Sequence, residues 1–360
     1  MLLEMETRLA LPALSAAIAE EAGARDADGR FPAAAFAELK RQGLLADPPV
    51  EPADMRTLLW VLAAVGRGDL SVGRIFEGHA NAIYLIKAYG STEQVRRFAR
   101  VTAEGGILGV WNTDQPGAPL RLDDGRFVGR KSFASGIDGL SHAVVTVDAE
   151  RVGRHEVHLP SRLGVDRSWW RPLGMRASGS HVADFGGLHV ASDWALGRPD
   201  DYVRQPWFSA GAIRFLAVQV GGMHALLDTA TRHLTGTGRA GNPYQAHRLA
   251  RMGVAVETGY LWLDRIADAW ATAAQEPSAE DYLFAAANGA RLVVEEAALA
   301  VLEEAERAIG AAGMIAPHPF ERQMRNLRTY LRQPNPDGAA AAFGAAVADG
   351  VWSPLGEHDA

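Results

Sequence analysis

The spacing of apolar residues changes twice along the chain, and this change most constrains the fold. In the first third, apolar residues such as Phe36 and Leu39 recur every three or four positions, which is the spacing of one helix face. Between about 105 and 196, short runs such as 187–190 alternate with Gly and Asp turns, which is typical of strands. From Trp207 the helical spacing returns. The sequence therefore predicts a helical part, a small β part and a second helical part.

Long helices are predicted near 207–235, 243–274 and 279–309, and a shorter one begins at about Phe320. In the second of these, the apolar residues fall at steps of three, four or seven and form one buried stripe. The stripe consists of Leu249, Met252, Val256, Leu263, Ile266 and Trp270. Long helices joined by short links favour an antiparallel four-helix bundle.

With 360 residues and 48% apolar content, the chain is large enough for two or three cores. We predict an α+β fold, mostly α, in three domains. These are an N-terminal helical domain over 1–104, a small middle β-barrel domain over 105–200, and the C-terminal bundle over 201–360.

Composition excludes several function classes. The net charge of −7 comes from mixed charges without a basic stripe, so no nucleic-acid partner is expected. The absence of cysteine excludes disulfides and thiolate chemistry, and we expect a cytoplasmic protein. No apolar run reaches about 18 uninterrupted residues, so no membrane span is expected. His155 and His158 would point to opposite faces of a strand, so no metal is predicted.

The segment 307–328 carries the most specific motif. Gly310 and Gly313 bracket a sharp turn, and the run 321–326 reads Glu-Arg-Gln-Met-Arg-Asn. From the residues alone, Gly313 could be a helix C-cap. The whole segment resembles the acyl-CoA dehydrogenase superfamily, with its Gly-Gly-x-Gly run and its helix carrying Glu-Arg-x-x-Arg-Asp. This resemblance implies that Gly310 and Gly313 approach a flavin dinucleotide.

The order of the three domains resembles the same superfamily, as do Tyr89-Gly-Ser-Thr-Glu-Gln94 and Gly174-Met-Arg-Ala-Ser178. The resemblance implies that four residues of the β domain face the flavin, namely Trp111, Thr113, Phe133 and Ser135. The residues alone allow another interpretation, in which the two aromatic side chains belong to the core. In the shortened loop 235–243 and just after it, Arg239 and Gln245 would contact the phosphates, or lie on the surface.

The chain departs from the family at the catalytic base. An acyl-CoA dehydrogenase needs a carboxylate to remove a substrate proton, and the two usual glutamate positions fall on Pro334 and Ile213. Neither side chain can accept a proton. Asp337 lies nearby, but Asn-Pro-Asp-Gly is first of all a turn signature.

The missing base and the shortened loop 235–243 both resemble the flavin-dependent monooxygenase branch. Its members receive reduced flavin from a separate reductase and react it with oxygen. This resemblance implies catalytic roles for His79 and Arg332, although a single His is more often structural.

The cofactor expected is FAD, with FMN as the alternative. The expected activity is that of a flavin oxidoreductase acting on a CoA thioester or a similar small molecule, by dehydrogenase or monooxygenase chemistry. A third interpretation is a non-catalytic flavin or acyl-CoA binding subunit. A homo-oligomer, a tetramer or dimer, is expected from the apolar helix faces.

Overall fold

The computed structural model describes residues 2–147, 153–158, 163–191 and 193–354. In this part of the chain the helices are α1 (Leu2–Ala19), α2 (Ala22–Asp28), α3 (Ala33–Arg41), α4 (Met55–Gly68), α5 (Leu70–Tyr89), α6 (Thr92–Ala103), α7 (Trp207–Ala210), α8 (Ile213–Gly236), α9 (Pro243–Ala273), α10 (Glu280–Ile309), α11 (Pro319–Tyr330) and α12 (Pro336–Ala348). The strands are β1 (Leu108–Trp111), β2 (Arg121–Asp123), β3 (Arg126–Val128), β4 (Arg130–Ala134), β5 (His142–Val147), β6 (Gly153–His158), β7 (Gly164–Asp166) and β8 (His181–Asp184).

The predicted fold class is confirmed, with helices before and after a small β domain. β1 pairs in parallel with β5, which pairs antiparallel with β6, while β4, β8 and β7 form a second antiparallel sheet. β2 and β3 form a hairpin. In the described residues these ladders leave the barrel open, as two three-stranded sheets and one hairpin. The run 187–190 is not a strand, because His189 makes only an isolated bridge to Arg126.

The N-terminal domain packs against the bundle through glycines. An added Cβ at Gly221 of α8 would lie 2.0 Å from the carbonyl oxygen of Ala63 on α4. An added Cβ at Gly66 would lie 2.4 Å from the carbonyl oxygen of Val218. Only glycine permits this backbone-to-backbone contact, and it fixes α4 and α5 beside α8.

Buried ion pairs connect all three domains. Arg325 on α11 donates to Asp26 on α2 at 2.8 Å and to the carbonyl oxygen of Leu173 in the β domain at 2.9 Å. Arg25 donates to Asp69, which caps α5 by accepting from the backbone of Ser71 at 2.8 Å. Because buried charges must be paired, these contacts hold the three domains at fixed positions.

The C-terminal helix α12 was not predicted. Asn335 has a left-handed φ of 55°, and its side chain accepts from the backbone of Gly338 at 3.1 Å. The Asn-Pro-Asp-Gly sequence is therefore the N-terminal cap of a helix rather than an isolated turn. The predicted bundle helices, in contrast, agree closely with α8, α9 and α10.

By length and composition alone, the segment Trp207–Gly236 could cross a membrane. Its most apolar window is 72% buried within the protein, as expected of the central helix of a bundle.

Candidate functional site

The three domains meet at the end of β1. Asn112, directly after β1, donates a hydrogen bond to the hydroxyl of Tyr202, in the segment that leads to α7. Tyr202 packs edge-on against Phe208, with ring centroids 5.0 Å apart. Tyr202 lies within electrostatic reach of Arg74 of α5 and of Arg214 of α8. We call this region the junction site; it consists of Arg74, Glu77, Asn112, Tyr202, Arg214 and Tyr330.

A buried ion pair on α5 forms the centre of the junction site. Arg74 donates from Nη1 to Glu77, three residues later on the same helix. Burial lowers the pKa of a guanidinium, but the Glu77 carboxylate outweighs burial and raises the pKa of Arg74. Arg74 therefore remains charged, and Glu77 is held as its partner.

Tyr330 closes the junction site from the end of α11. Burial and the nearby Glu77 charge raise the pKa of Tyr330 well above its usual value. Its backbone carbonyl accepts a hydrogen bond from Gln219 of α8 at 2.9 Å. The phenol therefore stays protonated in the physiological range and can act as a hydrogen-bond donor.

The β domain presents an aromatic cluster that contains an exposed ring. Phe133 is 48% exposed and has a left-handed φ of 53°, which is uncommon for a residue with a side chain. Its ring packs edge-on against Trp169 and Trp170, with centroids 5.0 and 6.1 Å away. A strained backbone that keeps an aromatic ring exposed is typical of a functional position.

Hydroxyl groups lie beside this aromatic cluster. Ser135 is hydrogen-bonded through its Oγ to Ser180 at 2.7 Å, and Ser180 to Ser178 at 2.8 Å. Thr113 is exposed, and its carbonyl accepts from the backbone of Ser132 at 3.0 Å. An exposed aromatic wall beside hydroxyl groups fits an isoalloxazine ring, which has one apolar end and one hydrogen-bonding end. Phe133, Ser135 and Thr113 are the residues that would hold it.

Trp111 has a different position from the one expected. Its side chain is 1% exposed, packs against Phe185 in the core, and donates from Nε1 to the carbonyl of Ser135 at 3.2 Å. The ring cannot stack on a ligand from there. Trp111 instead fixes the backbone of Ser135, so the alternative of a core aromatic describes it better.

His79 is fully buried, and both ring nitrogens are used. Nδ1 accepts from the backbone N–H of Leu108 at 3.0 Å, so Nε2 carries the proton and donates to the carbonyl of Leu45 at 3.0 Å. Burial lowers the pKa of His79 to about 4. This geometry makes His79 a neutral link between α5, β1 and the segment after α3. Its catalytic role stays a prediction that these contacts do not favour.

The two positions expected for a catalytic glutamate differ in their exposure. Ile213 is fully buried at the start of α8, and Pro334 is exposed before α12. Asp337 is exposed in the first turn of α12. Arg332 forms an ion pair with Glu295 of α10 and lines a groove of about 390 Å³ with Asp337. Arg332 is therefore on the bundle surface, and its catalytic role also stays a prediction.

The remaining predicted cofactor residues gather at the end of α10. Gly310 ends α10 with a φ of 77°, and Arg239 contacts the carbonyl of Ala308 at 3.4 Å and His233 at 2.8 Å. Gly313 is not the helix cap, because it follows Gly310 in a tight turn. In the described residues no hydrogen bond connects this corner with Phe133 or Ser135.

Gln245, in the first turn of α9, has a buried Oε1 without a partner among the described residues. Its contact with a phosphate stays a prediction. No group of three or more His, Asp or Glu side chains in the described part could hold a metal ion. The side chains of His155 and His158 lie outside the described residues.

The bundle matches the family model described as "Acyl-CoA dehydrogenase, C-terminal domain" over residues 202–331. Dibenzothiophene monooxygenase from Mycolicibacterium goodii is 26% identical over 319 residues, covering 77% of each chain. Short-chain specific acyl-CoA dehydrogenase from Bos taurus is 26% identical over 337 residues, covering 84% of this chain and 79% of its own.

The chain belongs to the acyl-CoA dehydrogenase superfamily. Among solved structures, the dibenzothiophene monooxygenase TdsC from Paenibacillus sp. A11-2 superposes with a TM-score of 0.82 at 19% identity, covering 99% of this chain and 100% of TdsC. This likeness agrees with the superfamily's fold. The protein is a flavin oxidoreductase of this superfamily.

Most of the junction site was missed at the level of sequence. Arg74, Glu77 and Arg214 have the spacing of ordinary charged residues on helices. A signal was present in α5, where the apolar residues Ile75 and Phe76 lie between the charged residues Arg74 and Glu77, so that no face of the helix is wholly polar. A charge within a helix that is apolar all round is expected to be buried and paired.

Proposed function

We propose that the protein is a two-component flavin-dependent monooxygenase acting on a small organic molecule. The observation that carries this proposal is the lack of a free base. Ile213 and Pro334 cannot accept a proton, and Glu77 of the junction site already pairs with Arg74. Removal of a substrate α proton needs a free carboxylate at these positions, whereas oxygen transfer does not.

A bound reduced flavin would supply two electrons to oxygen, so that one oxygen atom enters the substrate and the other leaves as water. The chain's own residues then have three tasks. Phe133 with Trp169 forms a wall that excludes water from one face of the ring. Ser135 and Thr113 orient the ring by hydrogen bonds, and Tyr330 offers a donor that stays protonated at neutral pH.

Within this proposal we infer that the flavin is FMN. The link 237–242 between α8 and α9 leaves Arg239 tied to His233 and Ala308. That link is short, so it offers little chain to cover the adenosine half of a dinucleotide. The fold neighbour TdsC has been crystallised with FMN, which supports the same choice.

A separate reductase would deliver the reduced flavin, as the resemblance to the monooxygenase branch implies. We further propose a cytoplasmic homo-oligomer, whose neighbouring subunit would bring its Arg239 and Gly310 corner to the flavin.

Acyl-CoA dehydrogenase activity is the second candidate. It is favoured by the bovine short-chain specific acyl-CoA dehydrogenase, which matches this chain at the same 26% identity as the monooxygenase. Asp337 would then have to leave the first turn of α12 to serve as the base.

The test supplies the purified protein with FMN, NADH, a flavin reductase and air, and offers indole and dibenzothiophene as probes. Oxygenated product, absent without the protein, is expected. In parallel, butyryl-CoA is added anaerobically to the flavin-loaded protein. Bleaching of the flavin by the thioester, with no oxygenated product, would overturn the proposal in favour of a dehydrogenase. Failure to bind flavin in either oxidation state would leave only a non-catalytic subunit.

A further inference from the structure

Arg214 is a buried cation that lacks an anionic partner among the described residues. Arg214 lies at the start of α8 and is only 1% exposed. Its one hydrogen bond runs from Nη1 to the carbonyl of Gly211 at 3.4 Å, which is close to the limit for such a bond. A buried guanidinium without a carboxylate is costly, because burial removes its water without supplying a counter-charge.

The unused atoms of Arg214 are Nε and Nη2. These two nitrogens form one edge of the planar guanidinium, and their N–H groups point in parallel. That edge matches the two oxygens of a carboxylate, so that both can accept a hydrogen bond at once. The two unpartnered atoms are therefore the two that a single planar anion would use together.

The other charges of the junction site do not neutralise Arg214. Glu77 is paired with Arg74, which leaves two guanidinium groups facing one carboxylate. Burial raises the pKa of Tyr84, whose ring lies against the Arg214 guanidinium, and that of Tyr330, so neither phenol supplies a negative charge at physiological pH. The site thus has an excess of one positive charge in a region shielded from solvent, which favours an anion.

Aromatic rings surround the guanidinium. It lies over the ring of Tyr84 at 4.7 Å and over that of Trp270 at 5.3 Å, and Trp207 packs edge-on against Trp270 at 5.2 Å. A cleft of about 340 Å³ reaches Tyr84 and Trp207 from the surface. These rings hold the guanidinium plane in place and offer an apolar surface to the body of a ligand.

We propose that Arg214 binds the carboxylate, or an equivalent planar two-oxygen anion, of an organic substrate whose apolar body lies against the aromatic side chains around this guanidinium. This inference rests on the proposed function, since it names the substrate class of that oxygenation. Anion binding itself requires no flavin, so the two can be tested separately.

The test measures binding and thermal stability of the flavin-free protein with three carboxylates and their amides. The pairs are acetate and acetamide, benzoate and benzamide, and indole-3-carboxylate and indole-3-carboxamide. At least one carboxylate is expected to bind about tenfold to a hundredfold more tightly than its amide, because the amide keeps one acceptor oxygen but lacks the charge and presents an N–H group to the second guanidinium N–H.

The variants are Arg214→Met, which removes the charge, and Arg214→Lys, which keeps the charge and removes the parallel edge. Both should lose most of the preference for the carboxylate. Arg41→Met is the matched control, since it removes an exposed cation of α3 that does not line this cleft and should keep the preference. Arg214→Met should unfold at the same temperature as the parent or a higher one, because an unpaired buried charge has been removed.

Three results would overturn the inference. One is that no carboxylate of the panel binds more tightly than its amide. Another is that Arg214→Met and Arg214→Lys keep the preference. The third is that Arg214→Met lowers the unfolding temperature by several degrees while carboxylates leave the parent unaffected, which would show a purely structural stacking role. If neutral probes are oxygenated in every one of these cases, the proposed function stands without this inference.

Discussion

Replacing Glu77 by Gln removes the carboxylate that compensates Arg74 inside the junction site. The side chains of the pair are 10% and 25% exposed, so the guanidinium left behind is largely buried and cannot regain full hydration. Breaking such a pair by removing one partner costs about 3 kcal/mol, at the lower end of the usual range because Arg74 is partly solvated. Without Glu77, the nearby Arg214 is a second buried positive charge with no compensating carboxylate, which adds to the loss of stability.

The expected change in unfolding temperature follows from the chain length. An unfolding entropy of about 2.1 cal/mol/K per residue gives about 0.8 kcal/mol per kelvin for 360 residues, so Glu77→Gln should unfold about 4 °C lower. Differential scanning calorimetry measures this shift.

The exposed pair of Glu303 and Arg307 on α10 is the matched control. Glu303→Gln should change stability by less than about 0.5 kcal/mol, because exposed helix pairs contribute little. The double variant Arg74→Met with Glu77→Leu should recover most of the loss, since apolar side chains then replace the pair. If Glu77→Gln is no more destabilising than Glu303→Gln, the pair is not buried as described, and the electrostatic account of the junction site is wrong.

Other predictions test the packing, pH dependence and cofactor surface. Gly221→Ala should cost more than about 3 kcal/mol in calorimetry, because its Cβ would lie 2.0 Å from the carbonyl oxygen of Ala63, whereas Gly253→Ala, with open space in α9, should gain about 0.5–1 kcal/mol. Because the pKa of His79 is lowered to about 4, its neutral form favours folding. The free energy of unfolding should therefore fall by about 3 kcal/mol from pH 6.5 to pH 4 and then level off, and His79→Gln should remove this dependence. Phe133→Ala should weaken flavin binding about tenfold in fluorescence titration while leaving stability within about 0.5 kcal/mol, since the ring is half exposed; an unchanged affinity would contradict its place at the flavin.

The long helices could be predicted from sequence because the apolar spacing, turn residues and caps that define each helix lie within it or directly beside it. α9 and α10 begin and end within one residue of the positions expected from apolar spacing and turn residues. Ser91 caps α6 in a reciprocal capping box with Gln94, as its position before the helix indicates. The same local information misled at Asn335, because a turn and a helix cap share one sequence signature.

The candidate site could be predicted only in part. The flavin contacts of Phe133 and Ser135 stay predictions; the Phe133 ring is exposed, whereas Ser135 is buried and hydrogen-bonded to Ser180. The buried cluster of Arg74, Glu77 and Arg214 could not be predicted in the same way. Each of these residues is ordinary within its own helix, and only the packing of three domains removes them from water.

The most direct test of the central claim is the source of oxygen in the product. The protein is supplied with chemically reduced FMN, ¹⁸O₂ and the best probe from the substrate panel, and the product is analysed by mass spectrometry. The account predicts one ¹⁸O atom per molecule of product and the other in water. Product without ¹⁸O, or flavin reduction by an acyl-CoA thioester in the absence of oxygen, would contradict it.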